Sequence, residues 1–70
     1  MAILRTGSSG PEVKKAQEQL KAYGFYKGIS DGIFGANTKA AVIAFQKVKG
    51  LTADGEIGPK TGGHLQPGGI

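Results

Sequence analysis

Asp31-Gly32-Ile33-Phe34-Gly35-Ala36-Asn37-Thr38 returns as Asp54-Gly55-Glu56-Ile57-Gly58-Pro59-Lys60-Thr61, at an offset of 23 residues in a chain of 70. The shared pattern is Asp-Gly-x-apolar-Gly-x-x-Thr. Such self-similarity limits the fold more than composition does, because one supersecondary unit has to be built twice. Each copy follows a Gly-apolar pair, Gly24-Phe25 and Gly50-Leu51, and each precedes a helix start. Two helix–loop units are expected, the second with a shorter loop. Within the pattern, Asp-Gly is a tight-turn dipeptide: Asp can accept from its own backbone two residues on, and Gly takes positive φ. The apolar residue is expected to plug the core, the next Gly to turn the chain into the helix, and Thr to sit near that helix's free N–H groups. A phosphate cradle is a poor reading of these glycines, since neither a preceding parallel strand nor a Walker Lys is present.

The stretches between the motifs read as helices. Ser8-Ser9-Gly10-Pro11 is a start signal, with a Ser or Gly cap and Pro in the first turn, where its missing N–H costs nothing. Val13, Ala16, Leu20 and Tyr23 then recur at spacings of three and four, one helical face. Gly24 is placed to supply a left-handed C-terminal cap, so the first helix is expected from about Pro11 to Tyr23. A second helix is expected from Asn37-Thr38, either of which can cap it, with Ala41, Val42, Phe45 and Val48 on its apolar face and Gly50 as its end. Residues 25–37 read as a loop folded back over the core, with room for a very short strand pair. The third helix is short: it opens at Gly58-Pro59, and Gly62-Gly63 weakens it by about 1 kcal/mol each relative to Ala. Residues 66–70 read as a tail or linker.

The predicted fold class is therefore all-α, a compact three-helix bundle forming a single domain. At this size its core is marginal, burying roughly 60 % of the surface that the unfolded chain exposes. Cross-links do not help: there is no Cys, and His64 is the only His, so thiolate and Cys/His metal frameworks are excluded by count. Neither a metal nor a cofactor is expected. No apolar run approaches the ~20 residues that span a bilayer, and Met1–Arg5 holds no stretch long enough for a signal peptide. A role outside the cytoplasm would need an export route encoded elsewhere. The formal charge of +4 comes from nine dispersed Lys and Arg against five Asp and Glu, with only Lys14-Lys15 adjacent. Dispersed charge of this kind favours solubility and weak attraction to polyanions without choosing among them.

A longer ordered pattern is more selective. Arg5-x-Gly7-Ser8-x-Gly10-x-x-Val13, then Gln17-x-x-Leu20-x-x-x-Gly24-Phe25-Tyr26, then the Asp31 motif, resembles the peptidoglycan-binding domain family found beside cell-wall hydrolases. Ala41-Val42-x-x-Phe45-Gln46-x-x-x-Gly50-Leu51-x-x-Asp54-Gly55-x-Ile57-Gly58 continues the likeness, which runs from about Leu4 to Leu65. It implies a three-helix fold, a binding rather than catalytic role, peptidoglycan as partner, and a place in the cell wall or envelope beside an attached hydrolase or other envelope protein. The chain departs from the family at Ala16, where Leu is common, and at Gly62-Gly63, where a bulky residue usually follows the Thr. A related fold occurs in matrix metalloproteinase propeptides, whose inhibitory role needs a Cys that is absent here.

Candidate site residues follow from the ligand's chemistry, since sugars and peptides are held by aromatic faces and by amide or hydroxyl groups. Phe34, Phe45 and Phe25 are expected in the core. Tyr26, one residue beyond Phe25, is the candidate exposed platform. Ser30, Asp31, Asn37, Thr38 and Gln46 are candidate polar contacts in a shallow groove. Gln17 and Gln46 have a competing role, bonding loop backbone to tie a helix to the turn opposite. No catalytic residue is expected: His64 stands alone, and Asp31 and Asp54, a conceivable glycosidase pair, occupy equivalent rather than opposed positions. Besides a wall-binding module, the chain is compatible with a polyanion binder, though it lacks a basic recognition helix, and with a protein–protein module that keeps the fold alone. The expected partner is peptidoglycan, not nucleic acid or membrane, and the expected state is monomeric.

Overall fold

The computed structural model describes residues 3–65. Among them are three helices, α1 (Pro11–Ala22), α2 (Ala36–Val48) and α3 (Pro59–Leu65); the predicted tail lies outside the described residues. Helix α1 packs against both α2 and α3, and the protein is nearly isotropic, 26 × 25 × 24 Å. Gly62-Gly63 is accommodated inside α3.

The core is assembled as the periodicity predicts. Val13, Ala16 and Leu20 from α1 meet Ala41, Val42 and Phe45 from α2, and the two motif plugs, Phe34 and Ile57, close the space between them with Leu65. Tyr23 and Val48 do not follow. Each lies at the last position of its helical stripe, where the chain leaves the bundle, and Val48 is 67 % exposed. Tyr23 instead lays its ring 5.7 Å from that of Phe45, and the Lys49 ammonium stands 5.9 Å from both ring centroids. Phe25 meets Phe45 edge-on at 5.6 Å. This aromatic cover shields the far end of the core.

The expected strand pair reduces to single residue pairs. Leu4 and Ile57 exchange both backbone hydrogen bonds, at 3.1 and 2.8 Å, and Ser9 lies opposite Ile33, flanked by Gly10 N–H to Gly32 O and Phe34 N–H to Ser8 O, both 2.9 Å. These contacts tie the N-terminal segment to each motif in turn. Helix entry agrees with expectation at α1, where Gly was one of the two predicted caps, and differs at α2. Gly10 and Gly35 are the N-caps of α1 and α2, neither helix has a side-chain cap bond, and Asn37 and Thr38 lie inside α2. Thr38 is drawn away from capping by a buried partner.

Candidate functional site

Each Asp-Gly motif is locked by a glutamine from the preceding helix. In the first unit, Gly32 N–H donates to Gln17 Oε1 at 2.8 Å, while Gln17 Nε2 donates to Ile33 O at 2.9 Å, Thr38 Oγ1 at 3.0 Å and Asp31 Oδ1 at 3.2 Å. In the second, Gly55 N–H donates to Gln46 Oε1 at 3.0 Å, and Gln46 Nε2 reaches Glu56 O and Asp54 Oδ1 at 2.9 Å and Thr61 Oγ1 at 3.1 Å. Two amide protons face four acceptors in the first unit, counting the Tyr26 hydroxyl oxygen at 3.5 Å, and three in the second, so bonds are shared in both. The partners also settle the amide's orientation: a flipped group would set oxygen against carbonyl and carboxylate oxygens. Both glutamines thus take the turn-tying role.

The aspartates complete the latch. Asp31 Oδ1 accepts from Ile33 N–H at 2.9 Å, and Asp54 Oδ1 from Glu56 N–H at 3.0 Å, the self-closing turn expected of Asp-Gly. Gly32 carries the required positive φ of 77°, and a Cβ there would stand 3.1 Å from Gly10 O, so a side chain would be both strained and tightly pressed against backbone. The Ile33 N–H and then the Gln17 amide hold the Asp31 carboxyl below its ordinary value of 3.8, and Glu56 N–H and the Gln46 amide do the same for Asp54. A carboxyl with a lower pKa folded than unfolded stabilises the fold above the unfolded value. It loses that contribution as pH falls through the folded value. The thermal midpoint is therefore expected to fall from about pH 4 downward. Asp31→Asn combined with Asp54→Asn keeps both Oδ1 acceptors, removes the charge and should flatten that decline. Midpoints of parent and double variant between about pH 5 and about pH 2 check this; parallel curves would count against it.

The structure corrects three candidate contacts. Tyr26 is not an exposed platform: it is 6 % exposed, its hydroxyl donates to Ile29 O at 2.8 Å, and its ring lies beneath Gly28 so closely that a Cβ there would stand 2.8 Å from the phenol oxygen. Thr38 and Gln46 are fully buried in the two latches and offer no surface to a ligand. Asp31 and Asn37 remain exposed. Ser30 is half-buried, and its Oγ has no hydrogen-bond partner among the described residues.

Two of the predicted residues, Tyr26 and Asn37, line one surface cleft among the described residues. It measures about 400 Å³ and lies between the loop after α1 and the first turns of α2, lined also by Phe25, Lys27, Gly28, Ala40 and Ala41. Tyr26 forms its floor; Lys27 and Asn37 bring a cation and an amide to its rim. The small Ala40 and Ala41 leave the depression open on the helix side. Sequence reasoning missed Lys27, Gly28 and the two alanines. A Tyr-x-Gly spacing was the available signal, because Gly two residues beyond a buried ring lets the backbone fold over it.

Comparison with known proteins now decides the family. Residues 9–65 match the family described as "Putative peptidoglycan binding domain". The chain belongs to it. Among relatives of this peptidoglycan-binding domain, the spore cortex-lytic enzyme of Bacillus cereus is 44 % identical over 59 residues, covering 84 % of the chain and 23 % of the relative. The zinc D-Ala-D-Ala carboxypeptidase of Streptomyces albus G is 48 % identical over 61 residues, covering 83 % of the chain and 24 % of the relative. The domain therefore spans about a quarter of the length of these curated relatives. Among solved structures, the SleB N-terminal domain superposes with a TM-score of 0.90 at 42 % identity, covering 91 % of this chain and 88 % of that one. In these comparisons the likeness lies in the domain and not in the remaining three quarters of either enzyme.

Proposed function

We propose that the domain is a non-catalytic module that holds an attached wall-active enzyme, or another envelope protein, against peptidoglycan outside the cytoplasm. The observation that carries this reading is the family match over residues 9–65, which takes in both latched units. The contact surface in this reading is the Tyr26–Asn37 cleft, with Asn37 and Lys27 reaching the polymer, and Ser30 and Asp31 flanking it in the same loop. Tyr26 acts from below by shaping the floor, and Thr38 and Gln46 by fixing the turns. A lack of catalysis is supported by the state of the carboxylates: Asp31 and Asp54 are each committed to their own turn. His64 lies exposed on α3, and no cluster of three metal-ligating side chains occurs among the described residues. The domain acts as a monomer, without nucleic acid or membrane as partner. Among the described residues no helix is long and apolar enough to cross a membrane.

Sedimentation with purified sacculi tests the proposal. Much of the binding is expected to persist at physiological salt, whereas purely electrostatic attachment would collapse as the screening length shrinks to ~8 Å. Recovery of the protein wholly in the supernatant at low and physiological salt would sink the reading. Asn37→Ala and Lys27→Ala are each expected to weaken binding roughly fivefold, the loss of one hydrogen bond or charge contact. Their thermal midpoints should stay near that of the parent, because both positions are exposed. Normal binding by both variants would move the contact surface elsewhere on the domain. Release of soluble muropeptides by the isolated chain, above a heat-killed control, would overturn the non-catalytic assignment.

A further inference from the structure

The second helix–loop unit holds a cleft of its own, and its chemistry differs from the first. In unit one the helix-ending Gly24-Phe25 is followed by Tyr26, whose ring fills the space under the loop; in unit two Gly50-Leu51 is followed by Thr52. The latched loop is also shorter, with 14 positions from Gln17 to Asp31 but 8 from Gln46 to Asp54. With neither ring nor loop to fill it, a depression of about 610 Å³ stays open, lined by Ile3, Leu51, Thr52, Asp54, Glu56 and Thr61 beside two glycines.

Ile3 and Leu51 give this cleft an apolar wall, and two of the chain's five carboxylates stand in its lining. Both hydrogen bonds to Asp54 end on Oδ1, so Oδ2 has none among the described residues. Glu56 gives its backbone N–H and carbonyl to the latch, and its carboxylate makes no hydrogen bond among the described residues. Thr61 is 5 % exposed, accepts from Gln46, and among the described residues its own hydroxyl proton has no acceptor. A hydroxyl that accepts one bond keeps a proton to donate to a ligand that supplies an acceptor.

We infer that this cleft binds a short peptide through an alkylammonium side chain: Asp54 Oδ2 and the Glu56 carboxylate take the cation, Ile3 and Leu51 cover its methylenes, and the Thr61 hydroxyl donates to a peptide carbonyl. A divalent ion is a poorer occupant, since no group of three metal-ligating side chains is present among the described residues and hard cations take six or more oxygens. A bare monovalent cation is disfavoured by the chain's net charge of +4, which makes the apolar wall necessary to affinity. The inference rests on the wall-binding reading only for the ligand's source. Stem peptides of peptidoglycan contain a diamino acid whose ammonium stays free wherever no cross-link has formed.

The test needs no cell wall. The ¹⁵N-labelled protein is titrated with acetyl-Ala-Lys-Ala-amide and with the same peptide acetylated on the lysine nitrogen, and backbone amide shifts are followed. The free-amine peptide is expected to shift the amides of Thr52, Asp54, Glu56 and Gly58, and acetylation to weaken binding about fivefold or more. Glu56→Gln, a conservative change whose side chain holds no structural bond, should give a similar loss with the free amine and none with the acetylated peptide. Thr52→Tyr, which places a ring where unit one has its own, should abolish the shifts. Absent shifts at these residues, equal binding of both peptides, or unchanged binding by both variants would overturn the assignment. Absent shifts in a protein that still pellets with sacculi would remove this inference and leave wall binding standing. Shifts in a protein that does not pellet would do the reverse.

Discussion

Phe34→Ala is expected to lower the unfolding free energy by about 3–5 kcal/mol, the usual cost of deleting a buried aromatic ring. Phe34 is among the largest fully buried side chains, and it arrives from a loop rather than a helix. Its backbone is held on both sides, with Phe34 N–H donating to Ser8 O at 2.9 Å and Gly7 N–H to Phe34 O at 3.0 Å, so the loop cannot collapse into the void without breaking the N-terminal tie. Small domains have little stability to spare, roughly 5 kcal/mol at the low end of the usual range. The variant should therefore be close to unfolded at room temperature. Urea titration of parent and variant measures this, and a loss below about 1.5 kcal/mol would show that the site repacks.

Gln17→Leu should cost nearly as much for the opposite reason. Leucine matches the volume and suits the apolar surroundings, yet it leaves the buried Gly32 N–H without its 2.8 Å acceptor and Asp31 without its amide partner. An unsatisfied buried donor costs about 1–3 kcal/mol, and losing a bond to a charged group adds to it, for a total of about 2–4 kcal/mol. Gln46→Leu is expected to behave alike, because Gly55 and Asp54 depend on it in the same way. A Gln17→Leu protein as stable as its parent would mean that the loop, not the amide, holds the turn. Equilibrium unfolding of both single variants separates these outcomes.

Most of the fold was legible because helix periodicity, Gly stops and the repeated turn all point to the same arrangement. Val13, Ala16, Leu20, Ala41, Val42 and Phe45 lie where a simple count of threes and fours puts them. The stripe fails at Tyr23 and Val48 because periodicity says which way a residue faces, not whether another element is there to cover it. The site was harder to read. Tyr26 in its loop and Thr38 at a helix start both look like surface groups, and only the path of the backbone over the ring and the depth of the Gln17 amide bury them. The glutamines were readable from both sides: an amide carries donors and an acceptor at one end, which suits a turn and a sugar equally well. Burial decided between them. The cleft of the second unit left no positive mark in the sequence, since it arises from what is missing at Thr52 relative to Tyr26.

Because each latch joins a helix to the turn that follows it, the chain between the two anchor points is a cassette. The same amide geometry closes 14 positions in one unit and 8 in the other, and loop-closure entropy grows by only about 0.6 kcal/mol per doubling of length. Lys27, Gly28, Ile29 and Ser30 therefore lie between two fixed points, the buried Tyr26 ring and the Asp31 turn. Gly28 has to stay glycine, because the Tyr26 ring lies directly beneath it. Changes at the exposed Lys27 and Ile29 alter what this surface presents without reaching the core. A lineage of such modules can follow changes in wall chemistry by rewriting these few residues, and a designer can graft a recognition loop at the same place with the scaffold left intact.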